Sequence, residues 1–341
     1  MQRFVLIDGN AILHRAFHAL PPLTSRDGEI VNAVYGFFSM FLKIIEDLKP
    51  QYIIVCFDKK APTFRQQLYV GYQAKRPKMS DELVPQIAKV HEVLEKAKVS
   101  IFEIDGYEAD DVIGTIATQA VQSSVFSSQL SDIGQSVVSQ SVPTNRQQAN
   151  QNLKTENREP ITEVIIVSGD RDMLQLVNSH VKVLAPITGI TKMILFDEET
   201  VEEKYGIKPS QFIDYKALVG DASDNYPGIK GIGPKTAMSL LKEYGTFENM
   251  YKNINSLPSK ISEKLAVDAE QAALAKKLAT IVIDAPITLY LENCSRTNLS
   301  IKNLKEEFEK LGFKSLLKRL QSTPTEERKK AAESQQLGLL S

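Results

Sequence analysis

Strand-length apolar runs alternate with amphipathic helical stretches through roughly the first 115 residues, and this rhythm restricts the fold more than any other feature. "RFVLID" (3–8) reads as a buried strand, and residues 32–48 as an amphipathic helix. "YIIVCFD" (52–58) is a second strand, 80–97 a second helical pattern, and "VSIFEID" (99–105) a third strand, with a helix from about Glu108. The rhythm resumes with "EVIIVSGD" (163–170), a helical stretch to Val177, "VKVLAP" (181–186) and "KMILFD" (192–197). Alternating βα units predict an α/β fold, a largely parallel sheet with helices on both faces.

Residues 121–160 interrupt the pattern. They are rich in Ser, Gln and Asn, with few bulky apolar residues after Leu130. Such an insert predicts a disordered surface loop. From residue 199 the pattern is helical: "PSQFIDYKALVG", "PKTAMSLLKEYG", 246–254 and 258–281 predict four helices in a smaller module. Residues 303–320 form a further amphipathic helical segment, and the tail after it reads as flexible.

Acids fall at informative places. Asp8 ends the first strand, Asp58 the second and Asp170 the fourth. In an open parallel sheet, ligands bind beyond the carboxyl ends of the strands, so these carboxylates converge on one crevice. A single strand-terminal Asp is commonplace as a helix cap; several together are not. "GYEADDVIGTIA" adds Glu108, Asp110 and Asp111 at a helix start, where Glu108 and Asp111 share a face. "SGDRD" contributes Asp170 and Asp172, and "GDASDN" contributes Asp221 and Asp224. Carboxylates crowded in a cleft raise each other's pKa values unless cations neutralise them. Oxygen-only ligation suits Mg²⁺ or Mn²⁺. Two such ions, ~4 Å apart, are equipment for in-line displacement at phosphate, one serving the attacking oxygen and one the leaving oxygen.

"GIKGIGPKTA" has the glycine spacing of a P-loop, but Pro234 stands where the P-loop lysine must be and no strand precedes it. It reads better as a helix-hairpin-helix. Gly231 and Gly233 permit close backbone approach, Pro234 starts the next helix, and Lys230 and Lys235 add charge for phosphate. The plain alternative is an interhelical turn. Residues 59–78 carry Lys59, Lys60, Arg65, Lys75, Arg76 and Lys78 with Phe64, Tyr69 and Tyr72 among them and no acid. Cations with aromatic rings suit a single nucleic-acid strand, and the position directly after Asp58 places this segment over the acids.

With 341 residues and 43% hydrophobic content, the chain can build a sizeable core. No apolar run approaches the ~20 residues of a membrane span, and no signal-peptide pattern is present. Cys56 and Cys294 form no disulfide framework, and His14, His18, His91 and His180 show no ligand spacing. The net charge of −1 predicts no bulk attraction to nucleic acid, so any such binding relies on local patches.

The chain closely resembles the 5′-nuclease domain of bacterial DNA polymerase I, a member of the flap endonuclease family, from residue 1 to about 320 outside the insert. "LIDGNAILHRAFHA", "FRQQLYVGYQAKRP", "DGYEADDVIGTIA", "VSGDRDMLQLV", "YKALVGDASDNYPGIKGIGPKTA" and "GFKSLLKRL" carry the resemblance, in the family's order. It implies a PIN-like nuclease core over 1–198, a helix-three-turn-helix module over 199–290 that grips duplex backbone, a C-terminal helical segment over 291–321 and a tail over 322–341. It implies two Mg²⁺ or Mn²⁺ ions, with Asp8, Asp58, Glu108, Asp110 and Asp111 serving mainly one and Asp170, Asp172, Asp221 and Asp224 mainly the other. A monovalent cation at the hairpin is a further expectation.

The same resemblance makes residues 59–78 the arch that a 5′ single strand passes. Arg65, Tyr72, Gln73, Lys230, Gly231, Gly233 and Lys235 then become DNA contacts, and Arg76 with Lys75 the cations at the scissile phosphate. One position departs: the family reads Tyr-Lys where this chain has Tyr72-Gln73. Gln73 carries no charge, leaving that role to Lys75 or Arg76. No polymerase region follows, so the expectation is a monomer acting alone or with a separate DNA polymerase. Its expected substrate is DNA with a 5′ flap, nick or RNA primer, in the cytoplasm at the nucleoid. The rival readings are a DNA-junction-binding module with weakened catalysis and a small-molecule phosphohydrolase.

Overall fold

The computed structural model describes residues 2–134, 161–190 and 192–321. The N-terminal half runs β1 (Gln2–Asp8), α1 (Gly9–Ala19), α2 (Asn32–Leu48), β2 (Tyr52–Cys56), α3 (Phe64–Leu68), α4 (Val84–Lys96), β3 (Ser100–Phe102) and α5 (Ala109–Gly134). β4 (Ile161–Val167), β5 (Val181–Thr188) and β6 (Lys192–Phe196) complete a six-stranded sheet of order β3-β2-β1-β4-β5-β6. β6 alone is antiparallel, paired with β5; the other pairings are parallel.

Both faces of the sheet are covered, which is why its strands are apolar throughout. Along β1, Phe4 and Leu6 enter the core that includes Val112, Ile113 and Ile116 of α5. Val5 and Ile7 enter the opposite core with Leu13 of α1, Phe38 of α2 and Val93 of α4. The period of two that the strand imposes thus serves two cores at once.

Helices dominate the remainder: α6 (Glu198–Tyr205), α7 (Phe212–Val219), the two-residue pair β7 (Gly220–Asp221) and β8 (Tyr226–Pro227), α8 (Pro234–Tyr244), α9 (Phe247–Lys252), α10 (Ser259–Val267) and α11 (Ala269–Ala279). Leu218, Leu241, Met250 and Leu265 belong to the same core as Phe4 and Leu6, so this module shares a core with one face of the sheet. The last helices, α12 (Ile301–Leu311) and α13 (Lys314–Gln321), return to the other face. There Phe308 meets Phe38 edge-on at 5.3 Å, and Arg319 pairs with Glu46 at 2.9 Å. Leu304 and Phe308 are fully buried, each stabilising this docking by about 1.5–3 kcal/mol.

Several expectations need correction. α5 continues to Gly134, past the point where composition changes; residues 135–160 and the tail 322–341 lie outside the described residues. The 258–281 stretch is two helices broken at Asp268, whose carboxylate accepts the Lys230 backbone N–H at 2.7 Å. The 303–320 segment also divides, at Gly312, where φ is +76° and glycine closes the first helix. Helix α1 was not anticipated, although Asp8 is its N-cap. Among the described residues, no helix is long and apolar enough to cross a membrane.

Candidate functional site

The strand order reverses direction at β1 and β4, and the acids collect outside the carboxyl ends of the strands there, as expected at such a switch point. Each acid is placed by a local capping need. Asp8 ends β1 and accepts the Ala11 N–H at 2.9 Å, starting α1. Its other oxygen takes the Ser168 hydroxyl at 2.6 Å, and Ser168 in turn accepts the Asp170 N–H at 3.0 Å. Asp58, just beyond β2, accepts the N–H of Ala109 at 2.7 Å and so caps α5 from a distant segment. Asp170 caps the short helical turn 171–176 by accepting the Asp172 N–H at 2.8 Å.

Glu108 and Asp110 join Asp8 and Asp58 along a cleft of about 800 Å³, whose lining also includes Asp170, Asp172 and Asp224. Thr63 and Tyr72 donate hydroxyl hydrogen bonds to Glu108 at 3.2 and 3.1 Å. These acids form the proximal group.

Asp111 and Arg65 require reassignment. Both are buried, at 0% and 1% exposure, and they face each other in a two-pronged pair with both contacts at 2.7 Å. Arg65 also donates to the carbonyls of Leu278 and Thr280, and Asp111 accepts the Val282 N–H at 2.8 Å. A guanidinium this buried, engaged at all three nitrogens and 3.5 Å from a Glu108 oxygen as well, has no donors to offer DNA. Asp111 likewise spends its oxygens on this knot rather than on the cleft. The pair ties α3, the start of α5 and the end of the helical module together.

The distal group is Asp170, Asp172, Asp221 and Asp224. Single oxygens of Asp172, Asp221 and Asp224 lie within 4.8 Å of one another, close enough to hold one metal ion. Two side-chain cations already sit among them. Lys216 of α7 pairs with Asp172 and, at 2.5 Å, with Asp221. Arg76 pairs with Asp224 at 2.6 Å. Ser223 supplies both its N–H and its hydroxyl to Asp221. The sequence signal for Lys216 is the spacing of Lys and Asp in "YKALVGD", one helical turn and a corner apart, which a pattern of acids alone does not show.

Electrostatics set one acid, Asp221, apart from the others. Burial pushes Asp8 up to about 7, against the hydrogen bonds from Ser168 and Ala11. Burial likewise brings Glu108 to about 7 despite Arg65. Asp58 is raised and Asp110 is well above the usual carboxylate range, again chiefly through burial. In the distal group, burial and Asp170 push Asp172 up, with Lys216 offsetting part of the rise, and burial raises Asp224. Asp221 is different: burial pulls it up, but the Lys216 ammonium and the Ser223 hydrogen bonds outweigh that and hold it low. A centre with this many raised carboxylates is short of positive charge. The donor set is all oxygen, which fits a hard divalent cation. Tyr226 points the same way: its buried hydroxyl has no hydrogen-bond partner among the described residues, and Asp172, Asp221 and Asp224 are among the charges acting on it.

The basic segment is anchored to the acids. Tyr72 is buried, stacked on Tyr226 with centroids 6.4 Å apart, so its ring is not a free stacking face for a base. Gln73 adopts φ +56°, and its N–H donates to the Asp224 carbonyl at 2.8 Å. Gln73 and Arg76 line the cleft, whereas Lys75 is exposed and not among the lining residues.

At the hairpin, buried Ile229 and Ile232 anchor the turn. Gly231, at φ +77°, carries the left-handed residue of the turn, and its carbonyl accepts from Lys264 at 2.8 Å. Gly233 precedes Pro234 at the start of α8, with open space where a Cβ would stand. Lys230 and Lys235 are exposed beside it.

The profile of the 5′-3′ exonuclease N-terminal resolvase-like domain matches residues 3–157, and that of the 5′-3′ exonuclease C-terminal SAM fold matches residues 207–302. DNA polymerase I of Caldicellulosiruptor bescii is 39% identical over 320 residues, covering 93% of this chain and 33% of that protein. The chain thus spans about a third of the length of the polymerase relatives it matches. A 5′-3′ exonuclease of Aquifex aeolicus is 35% identical over 318 residues, covering 93% of this chain and 95% of the relative. Among solved structures, phage T5 D15 protein crystallised with metal ions aligns over 91% of this chain and 100% of its own, with TM-score 0.60 and 19% identity. The catalytic core of Rad2 in complex with DNA aligns over 94% of this chain and 92% of its own, with TM-score 0.52 and 13% identity. With both domain profiles matched in order and a relative of the same length aligned nearly end to end, the chain belongs to the 5′-3′ exonuclease family.

Proposed function

We propose that the chain is a structure-specific 5′-nuclease that hydrolyses phosphodiester bonds near a 5′ flap, nick or RNA primer, with Mg²⁺ or Mn²⁺. The observation that carries this reading is the convergence of acids from separate segments on one cleft, in a chain that also exposes a glycine hairpin. Asp8, Asp58, Glu108 and Asp110 would hold one divalent ion, and Asp170, Asp172, Asp221 and Asp224 the other. Bound there, the ions supply Lewis-acid activation of water and charge neutralisation at phosphate.

The chain's own groups do the rest. Arg76 is about half exposed, at 51%, and can exchange Asp224 for a substrate phosphate at the cleft mouth. Lys75 and Gln73 would contact the 5′ strand on the rim. The hairpin backbone around Gly231 and Gly233, with Lys230 and Lys235, would take the duplex phosphates, aided by the start of α8; a monovalent cation at that turn belongs to the same reading. Action as a monomer at the nucleoid, alongside a DNA polymerase, completes it.

The test is polarity. A duplex bearing a labelled 5′ flap should be cut near the junction in Mg²⁺, while the matching 3′-flap duplex stays intact. Equal cutting of both, or binding without cutting even in Mn²⁺, would contradict the proposal; the second outcome would favour a junction-binding module.

A further inference from the structure

Lys216 occupies an unusual place for a lysine. Its side chain is only 14% exposed, and its ammonium bridges Asp172 and Asp221, two of the three carboxylates that can share a metal ion. Ion pairing with those acids favours its charged form over the cost of burial. It reaches this position because α7 ends at Val219 and the chain turns through Gly220, returning Asp221 to the side of the helix that carries Lys216.

We propose that Lys216 is an exchangeable counter-ion of the distal acids: it holds the cation position between Asp172 and Asp221 while divalent metal is absent, and withdraws when an ion binds. The inference rests on the metal-centre reading above. An ammonium and a divalent ion repel each other and seek the same oxygens, so they cannot both hold them at contact distance. Space for the withdrawal adjoins the site. The cavity there, of about 740 Å³, takes in the acids and extends past them: Asp170, Asp172 and Asp221 line it with Lys216, Arg171 and Tyr205. A flexible four-carbon stem can move the ammonium into it without moving the helix.

The proximal acids offer a built-in contrast, because the buried cation beside them, Arg65, is locked between Asp111 and two carbonyls. Competition from a side-chain cation should therefore weaken the distal site and leave the proximal site unaffected.

The experiment is a calorimetric titration of the full chain with Mn²⁺, comparing wild type with Lys216→Met and the charge-keeping Lys216→Arg. Lys216→Met should bind the weaker class of Mn²⁺ roughly tenfold more tightly, within the usual range of coupling between sites, while Lys216→Arg should not tighten it. Unchanged or weaker binding in Lys216→Met overturns the proposal while leaving the metal centre standing. No Mn²⁺ binding by wild type overturns both. A second measurement needs no variant: acetylation of Lys216 in the wild-type chain, read by mass spectrometry, should increase several-fold when Mn²⁺ saturates. Protection that is the same with and without Mn²⁺ overturns the exchange even if Lys216→Met fails to fold.

Discussion

At the proximal end of the acid centre, backbone N–H groups and hydroxyls hold the carboxylates, with a looser 3.5 Å contact from the buried Arg65 to Glu108; at the distal end, two side-chain cations pair closely with the acids. Asp8 and Asp58 cap helices, and Glu108 accepts from Thr63 and Tyr72. Arg65 braces this end through Asp111 from inside the protein. Asp172, Asp221 and Asp224 instead meet Lys216 and Arg76, which line cavities open to solvent. Capping contacts come with the fold and persist, whereas flexible cations can be exchanged. One end is thus held in place by the fold, and the other is free to change partners.

The largest effect expected is at the shared acids. Asp170→Ala should lower flap cleavage by on the order of 10³-fold, with DNA affinity largely kept because the hairpin is untouched; retained turnover would remove Asp170 from the centre. Next comes the brace. Arg65→Met leaves Asp111 buried and unpaired, which should cost about 3–5 kcal/mol in a denaturant titration. A change under about 1 kcal/mol, of the size typical for a surface ion pair, would show that Arg65 is not the fixed cation described.

A smaller effect is in the pH dependence, which sets Asp221 apart from the other acids. Asp8 and Glu108, and Asp172 at the distal end, are raised to about 7 in the metal-free fold, above the ordinary 3.8 of the aspartates and 4.5 of the glutamate. The native state then keeps protons that the unfolded state has released, so their contribution to stability falls as pH rises from the ordinary carboxylate range through 7. Asp221 is held low, so its contribution has the opposite sign: present above the ordinary range and lost as pH falls. Melting of the metal-free chain should drop between about pH 5 and pH 8, and saturating Mg²⁺ should flatten the drop. A metal-free profile that rises through this window would contradict the raised carboxylates at both ends. The smallest effect is at the rim. Gln73→Lys should raise the cleavage rate a few-fold, and no change would mean that Arg76 already supplies the charge.

Much of this centre was legible in the sequence because strand ends and caps are local. Asp8, Asp58 and Asp170 follow apolar runs, and the βα rhythm alone sends them to one edge of the sheet. The hairpin was legible for the same reason, through its glycines and Pro234. What the sequence hid was long-range pairing. Arg65 sits in a cationic stretch and reads as a DNA contact until the fold brings Asp111, Leu278 and Thr280 around it. Tyr72 reads as a stacking ring until Tyr226 covers it. Lys216 reads as one more helix-surface lysine, since only the turn at Gly220 returns Asp221 to its side. The shared core was hidden too: apolar positions in the helical module look self-sufficient in sequence, yet they continue the core on one face of the sheet.

The most direct test of the central claim is a Mn²⁺ titration of the wild-type chain beside Asp8→Ala and Asp221→Ala. Two classes of site should appear, the tighter one lost in Asp8→Ala and the weaker one lost in Asp221→Ala. A single class, or one that neither substitution removes, would contradict a centre divided into a fixed proximal end and an exchangeable distal end.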